Sequence, residues 1–330
     1  MNYNELNKIL NEINKWYSRR TKVLSIKTRP FNTFEVFTNI INKILNNNGK
    51  VLYILCSIIN EDMYKKQKEI EESIFKNKTD EQLKKNLVFS PIDNINDKYE
   101  KYDLVIFDDI SLFSKIGNES IKERVEQLYW NSRKMIIYTA EFIFPIGERL
   151  ELMYLRSKNP MVEPRLLMTR IKLEEDIPLA LFEYFKWFKE NKKKVLIIVP
   201  SNDKVNKVYK HYYGILKSFN ISVVKYNKNQ NFKFLINVFK EHKESVFIIT
   251  NNVGDYINQI NDLNIVMLFA DDFYFNYKKI VYICGAVHND INIVSEVLMV
   301  TKELSEDIDV AKSIIRGFNQ SLWEKGYLKI

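Results

Sequence analysis

The run Tyr102-Asp-Leu-Val-Ile-Phe-Asp-Asp-Ile-Ser111 sets four consecutive apolar residues, Leu104 to Phe107, directly before two acids. A short apolar block of this kind reads as a strand buried on both faces of a parallel sheet. Such a strand needs a helical layer above and below it, which argues for an α/β architecture. Asp108 and Asp109 then fall where the strand leaves the sheet. In open α/β sheets, ligands gather outside the carboxyl ends of the strands. Two adjacent acids there suit a nucleoside triphosphatase, where one carboxylate holds Mg²⁺ and the next polarises a water. A polar turn after a hydrophobic strand is the competing reading, and the segment alone leaves both open.

Alternating helix and strand patterns surround this run. Helical spacing of Leu6, Leu10, Ile13 and Trp16/Tyr17 predicts an amphipathic helix over Asn4–Tyr17. A strand over Val23–Ile26 and a helix over about 34–45 follow, the helix stopped by Asn-Asn-Asn-Gly49. Strands are expected at Val51–Cys56, Leu87–Ser90, Leu104–Phe107 and Met135–Tyr138, with helices over 60–86 and 119–131. Leu150–Glu175 contains Pro160 and Pro164 and shows no clean period, so it reads as a connection. A second α/β series runs from a helix at Pro178–Lys189 to a final helix at Asp307–Lys325. The expected layout is a first domain over 1–157, a connection over 158–176 and a second domain over 177–330.

Composition narrows the function classes. With 330 residues and 46% hydrophobic content, the chain can build two sizeable cores. Its longest apolar runs, such as Val195–Pro200, are strand-length and far short of a membrane span. No secretory signal is visible at the amino terminus, so the expected location is the cytoplasm. Cys56 and Cys284 each sit in an apolar segment and read as buried thiols, which excludes a cysteine-built zinc site. His211, His242 and His288 are scattered without metal-ligand spacing.

Fifty basic against 42 acidic residues give a net charge of +8, which favours polyanionic partners. Many of the lysines belong to a Lys/Asn/Ile-rich composition and read as solvated helix faces. Arginine is more telling. Four of the ten, Arg149, Arg156, Arg165 and Arg170, fall in one stretch, and their planar forks suit phosphate contacts. The aromatic cluster Phe182, Tyr184, Phe185, Trp187 and Phe188 reads as packing at an interdomain surface, with base stacking as the alternative.

Two α/β units in tandem, with an acidic pair in the first, suggest a helicase core. In that frame the order and spacing of segments resemble the ComFA family, late-competence DEAD-box-type helicases of superfamily two. Gly49–Ser57 is similar to the family's second strand and the DNA-touching motif after it, and Val105–Phe113 to its Asp-Glu box. Ile137-Tyr-Thr-Ala-Glu141 resembles the Thr-Ala-Thr motif, and Glu163-Pro-Arg165 the entry to the second lobe. Lys194–Ser201 looks like that lobe's first strand, and Ala311–Asn319 with Trp323–Gly326 like the closing helix. The resemblance implies two tandem RecA-like domains, each a parallel sheet flanked by helices.

Departures from the family pattern bear on the chemistry. A phosphate-binding loop needs glycines, a lysine and a hydroxyl. The matching segment is Arg29-Pro-Phe-Asn-Thr33, where only Thr33 survives, Asn32 replaces the lysine and Pro30 has no N–H. In the second lobe, Ala286 and Asn289 stand where the family's arginine motif has its arginines. Asp109 in place of glutamate shortens the reach to a water by roughly 1.5 Å, and a misplacement near 1 Å can cost about a hundredfold in rate. The resemblance therefore implies a degenerate core, a pseudo-ATPase with Asn32, Thr33, Asp108 and Asp109 lining a vestigial pocket. No cofactor is expected; ATP and Mg²⁺, the latter on Asp108, would bind only if that pocket is retained. The expected partners are single-stranded DNA, contacted by Ser57, Arg149, Arg156, Arg165 and Arg170, and competence or DNA-uptake proteins. An active DNA-dependent ATPase with altered motifs and a protein–protein scaffold are the alternatives.

Overall fold

The computed structural model describes residues 3–57, 61–75, 81–94, 100–114, 116–153, 159–226, 232–241, 244–287 and 295–327. The chain divides into two compact units, Met1–Lys158 with Ser321–Ile330, and Asn159–Gln320.

The first unit runs α1 (Tyr3–Ser18), β1 (Val23–Thr28), α2 (Thr38–Asn46), β2 (Val51–Leu55), α3 (Glu61–Phe75), α4 (Glu81–Lys85), β3 (Leu87–Pro91), β4 (Tyr102–Asp108), α5 (Asn118–Tyr129), β5 (Ser132–Thr139) and β6 (Glu148–Leu152). Its strands form one parallel sheet in the order β3-β2-β4-β5-β1-β6. The apolar run that opened the sequence reading is the middle of β4, and Leu104 to Phe107 are all fully buried. Period-two geometry divides them between the two faces. Leu104 and Ile106 join the core built by α1, α2 and α3, while Val105 and Phe107 join the core under α5. Burial on both faces explains why this strand shows no polar alternation.

The second unit contains β7 (Arg165–Met168), α6 (Leu179–Glu190), β8 (Lys194–Ile198), α7 (Asn202–Ser218), β9 (Ser222–Lys225), α8 (Phe232–Glu241), β10 (Val246–Thr250), β11 (Leu263–Leu268), α9 (Tyr277–Ala286) and β12 (Val297–Thr301). Helix α10 (Glu306–Glu324) closes the series, its last residues belonging to the first unit. The sheet is again parallel and six-stranded, in the order β7-β12-β11-β8-β10-β9. Ser201 caps α7 by accepting from the Lys204 amide, and Asn276 caps α9 by accepting from that of Lys279.

Two expectations need correction. The stretch Leu150–Glu175, read as a connection, contains the end of β6 and all of β7, the edge strands of the two sheets. Both are short and partly exposed, so they carry polar residues and lack the apolar run of central strands. Of the aromatic cluster on α6, Phe182, Tyr184, Phe185 and Phe188 pack into or against the core of their own unit, while Trp187 is exposed. Phe185 and Phe188 are fully buried and meet Phe247 at 5.2 and 6.4 Å between ring centroids.

Candidate functional site

The carboxyl end of the first sheet brings together the two segments that matter most for triphosphate chemistry. The loop Arg29–Phe34 follows β1, the acids end β4, and β5 lies between the two strands. The Phe31 amide donates to the Ile110 carbonyl at 3.0 Å, and the Tyr138 hydroxyl at the end of β5 donates to the Thr33 carbonyl at 3.0 Å. The loop is thereby stitched to the turn that carries Asp108 and Asp109.

Asp108 is 2% exposed, and four donors inside the protein fill its carboxylate. Oδ1 accepts from the amides of Ile110 and Ser111 at 3.0 and 2.9 Å. Oδ2 accepts from the hydroxyls of Tyr53 and Ser111 at 2.5 and 2.6 Å. A carboxylate offers about four lone-pair sites, so this one is saturated. Burial, the Asp108 charge and the hydrogen bond to it push the Tyr53 phenol well up, which keeps it a neutral donor. Asp109 is equally buried, and its Oδ1 accepts from the Ser114 hydroxyl at 2.5 Å.

The loop is filled from within as well. Asn32 and Thr33 are each 3% exposed. The Asn32 side-chain amide donates to the Thr28 hydroxyl at 2.7 Å, and its oxygen accepts from the Thr33 amide at 2.8 Å. The Thr33 hydroxyl accepts from the Glu35 amide at 3.1 Å. Phe31 has a φ of 60°, in the left-handed region that a glycine enters without cost. Its ring is buried against Phe113, at 6.4 Å between centroids. Behind the loop, Phe37 stands edge-on to Tyr138 at 5.0 Å and to Tyr53 at 6.4 Å.

A phosphate cradle works by aiming backbone N–H groups at the ligand. Here the amides of residues 31, 33 and 35 already have acceptors, and Pro30 has no N–H to give. With Asp108 also saturated, the residues present do not fit a Mg²⁺-triphosphate. The arrangement acts instead as an internal strap joining three strand ends.

The remaining expected site residues fall in both units. Ser57 is 2% exposed and presents no surface to a phosphate, and its amide donates to the Leu55 carbonyl at 2.8 Å. Arg149 is exposed in the first unit, donates to the carbonyls of Phe144 and Pro145, and stacks over Phe142. Arg165 and Arg170 belong to the second unit, and Arg165 pairs with Glu296 at 3.0 Å. Arg156, His242, His288 and Asn289 lie outside the described residues. In the second unit, Gly285 and Ala286 are buried within α9, where they contribute to packing. Asp271 and Asp272 organise a turn: Asp272 accepts from the Tyr274 amide and pairs with Lys204.

Sequence reasoning missed Tyr53, Ser111, Ser114 and Tyr138. Ser111 could have been found, since an acid followed three positions later by serine is a turn signature. Arg29 was also passed over. It is half-buried at the exit of β1, and burial lowers its guanidinium to about 10, which leaves it charged at neutral pH. A separate open groove of about 630 Å³ in the second unit is lined by Lys172, Glu174, Glu175, Lys207, Lys210 and His211. Among the described residues, no cluster suits a metal ion and no helix is long and apolar enough to cross a membrane.

Twin parallel sheets, with the acids and the loop at the carboxyl end of the first, define two tandem RecA-like domains, a helicase-like fold. No protein-family model matches the chain, and no curated protein matches it by sequence. Among solved structures, it is similar to Xpd4 of S. tokodaii, with a TM-score of 0.52 and 11% identity over 90% of this chain and 94% of that one. It also aligns with S. cerevisiae Dbp5 bound to RNA and ADP BeF3, with a TM-score of 0.48 and 13% identity over 98% of this chain and 92% of that one. At these identities the likeness concerns the fold.

Proposed function

We propose that this chain is a non-hydrolysing helicase-like core of the ComFA type, which binds single-stranded DNA during DNA uptake. The observation that supports the loss of hydrolysis is the saturated Asp108 carboxylate beside a loop in which the Phe31 and Thr33 amides are already engaged. Catalysis of phosphoryl transfer rests on positioning and on charge stabilisation, and neither is available from groups that face inward. Binding of DNA is supported by the net charge of +8, by the helicase-like fold and by the ordered motif resemblance. Exposed Arg149, Arg165 and Arg170 are the candidate phosphate contacts from that reading. A competence protein is the candidate second partner.

Two measurements test this. A thermal shift with millimolar Mg-ATP should leave the melting temperature unmoved. A ligand present at a hundred times its Kd would add about 2.7 kcal/mol and raise it visibly. Gel shifts with single-stranded DNA across a salt series should show binding that weakens as salt rises. DNA-stimulated ATP turnover abolished by Asp108→Ala would overturn the pseudo-ATPase reading. Absence of binding at low salt would leave a protein–protein scaffold in its place.

A further inference from the structure

Two segments of the first unit share an unusual composition: Lys15-Trp-Tyr-Ser-Arg-Arg-Thr-Lys22 and Tyr129-Trp-Asn-Ser-Arg-Lys134. The first leads from α1 into β1, and the second from α5 into β5. These strands are parallel neighbours, with Val23 opposite Met135, so both turns lie side by side at the amino-terminal edge of the sheet. The acids and the Arg29–Phe34 loop occupy the other edge, about 20 Å away along a six-residue strand.

The two segments interlock. Lys22 donates to the Tyr129 carbonyl, and its ammonium lies 4.1 Å from the centre of the Tyr129 ring. The Arg133 guanidinium sits 5.8 Å over Tyr17. Lys134 is buried and donates to the carbonyls of Arg19 and Thr21, both at 2.6 Å, so its charge is used in tying the turns together. What remains faces outward. Trp130 is 84% exposed and stands edge-on to Tyr129 at 5.3 Å. Arg20 and Arg133 are exposed, and neither takes part in an ion pair among the described residues. Of the carboxylates near the patch, Glu148 pairs with Arg19 at 2.6 Å and Asp103 accepts from the Lys50 amide at 3.0 Å.

We infer that this edge is a binding platform for single-stranded nucleic acid, with Arg20 and Arg133 on phosphates and Trp130 stacking on a base. Planar guanidinium groups suit phosphate oxygens, and an exposed indole offers a flat face that any unpaired base can cover. A duplex keeps its base faces hidden and would leave Trp130 unused. The platform is separate from the arginines named above and does not depend on what Asp108 does.

The test uses the full chain, labelled oligo(dT) and an abasic oligomer of equal length, with anisotropy and tryptophan fluorescence as readouts. Oligo(dT) should quench part of the tryptophan emission. Trp130→Ala should weaken binding roughly 5- to 160-fold, the range for loss of one base–aromatic stack, while Trp130→Phe retains most of the affinity. The double variant Arg20→Ala/Arg133→Ala should lower the salt slope by about 1.4, at about 0.7 per phosphate on a single strand. All three variants should melt with the wild type, because the altered side chains are exposed. Unchanged affinity in Trp130→Ala and in the double variant would sink the platform while leaving DNA binding elsewhere on the chain. Equal affinity for the abasic oligomer would overturn the stacking assignment. A wild-type chain that binds no oligomer at low salt would overturn both this inference and the DNA part of the proposed function.

Discussion

Substituting Asp108 separates the two roles open to a carboxylate at the end of β4. As an internal strap it holds two fixed amides and two rotatable hydroxyls. Alanine would strand the amides of Ile110 and Ser111 inside the protein, whereas the hydroxyls of Tyr53 and Ser111 can turn toward new partners. A buried donor left without an acceptor costs about 1–3 kcal/mol, so two give about 2–6 kcal/mol. In a domain of this size 1 kcal/mol moves the melting temperature by about 2–4 °C. A central value near 4 kcal/mol therefore predicts a fall of about 8–16 °C for Asp108→Ala. Asp108→Asn keeps one oxygen for both amides and offers an NH₂ group to the hydroxyl oxygens, so its loss should be about 1–2 kcal/mol. Calorimetry of the full chain measures both, and hydrogen exchange on peptides spanning residues 102–114 assigns the affected transition. An Asp108→Ala protein that melts within about a degree of wild type would falsify the strap, since that is how a solvent-facing metal ligand behaves.

Gly147 has a φ of 100°, and a Cβ built there would lie 2.6 Å from the Val23 carbonyl oxygen. Gly147→Ala should therefore cost about 2 kcal/mol or more in urea unfolding, and an unchanged midpoint would contradict the close approach. Burial raises the phenols of Tyr53 and Tyr256 well above the ordinary value and that of Tyr274 to about 12. Because the folded state favours the neutral phenol, this stabilisation is complete below about pH 10 and is lost as the pH climbs through the folded values. Tyr274 alone should account for about 2–3 kcal/mol between pH 10 and 12, and a flat stability profile over that range would refute the assignment. Burial also pushes the Cys284 thiol up, and Cys56 is equally enclosed. Ellman's reagent should titrate neither thiol in the native protein at pH 8 and both in urea.

How much of this was legible in the sequence depends on how far each feature depends on neighbours. β4 was readable because burial on both faces leaves an uninterrupted apolar run, and the same holds for β8 and β10. β6, with the sequence Glu-Arg-Leu-Glu-Leu, and β7 were not, because an edge strand shows half its residues to water and mimics a loop. Asp108 was found as an acid at a strand end, yet its saturation was hidden. Tyr53 reaches it from β2, 55 positions earlier, through a register that sets Leu55 opposite Asp108. The arginines from 149 to 170 read as one cluster because they are close in sequence, but the boundary between the two units runs through them. The two Trp-and-Arg segments were visible as letters; only the pairing of β1 with β5 makes them one surface.

Asn32 has a further consequence. Its amide fills a position 3% exposed, clasped between the Thr28 hydroxyl and the Thr33 backbone. A lysine placed there would carry an ammonium into an occupied interior, at several kcal/mol, a large fraction of what keeps a domain folded. Tight packing of this kind couples neighbouring positions: a cation at residue 32 would need several coordinated changes at once, among them smaller residues at Phe31 and Phe37.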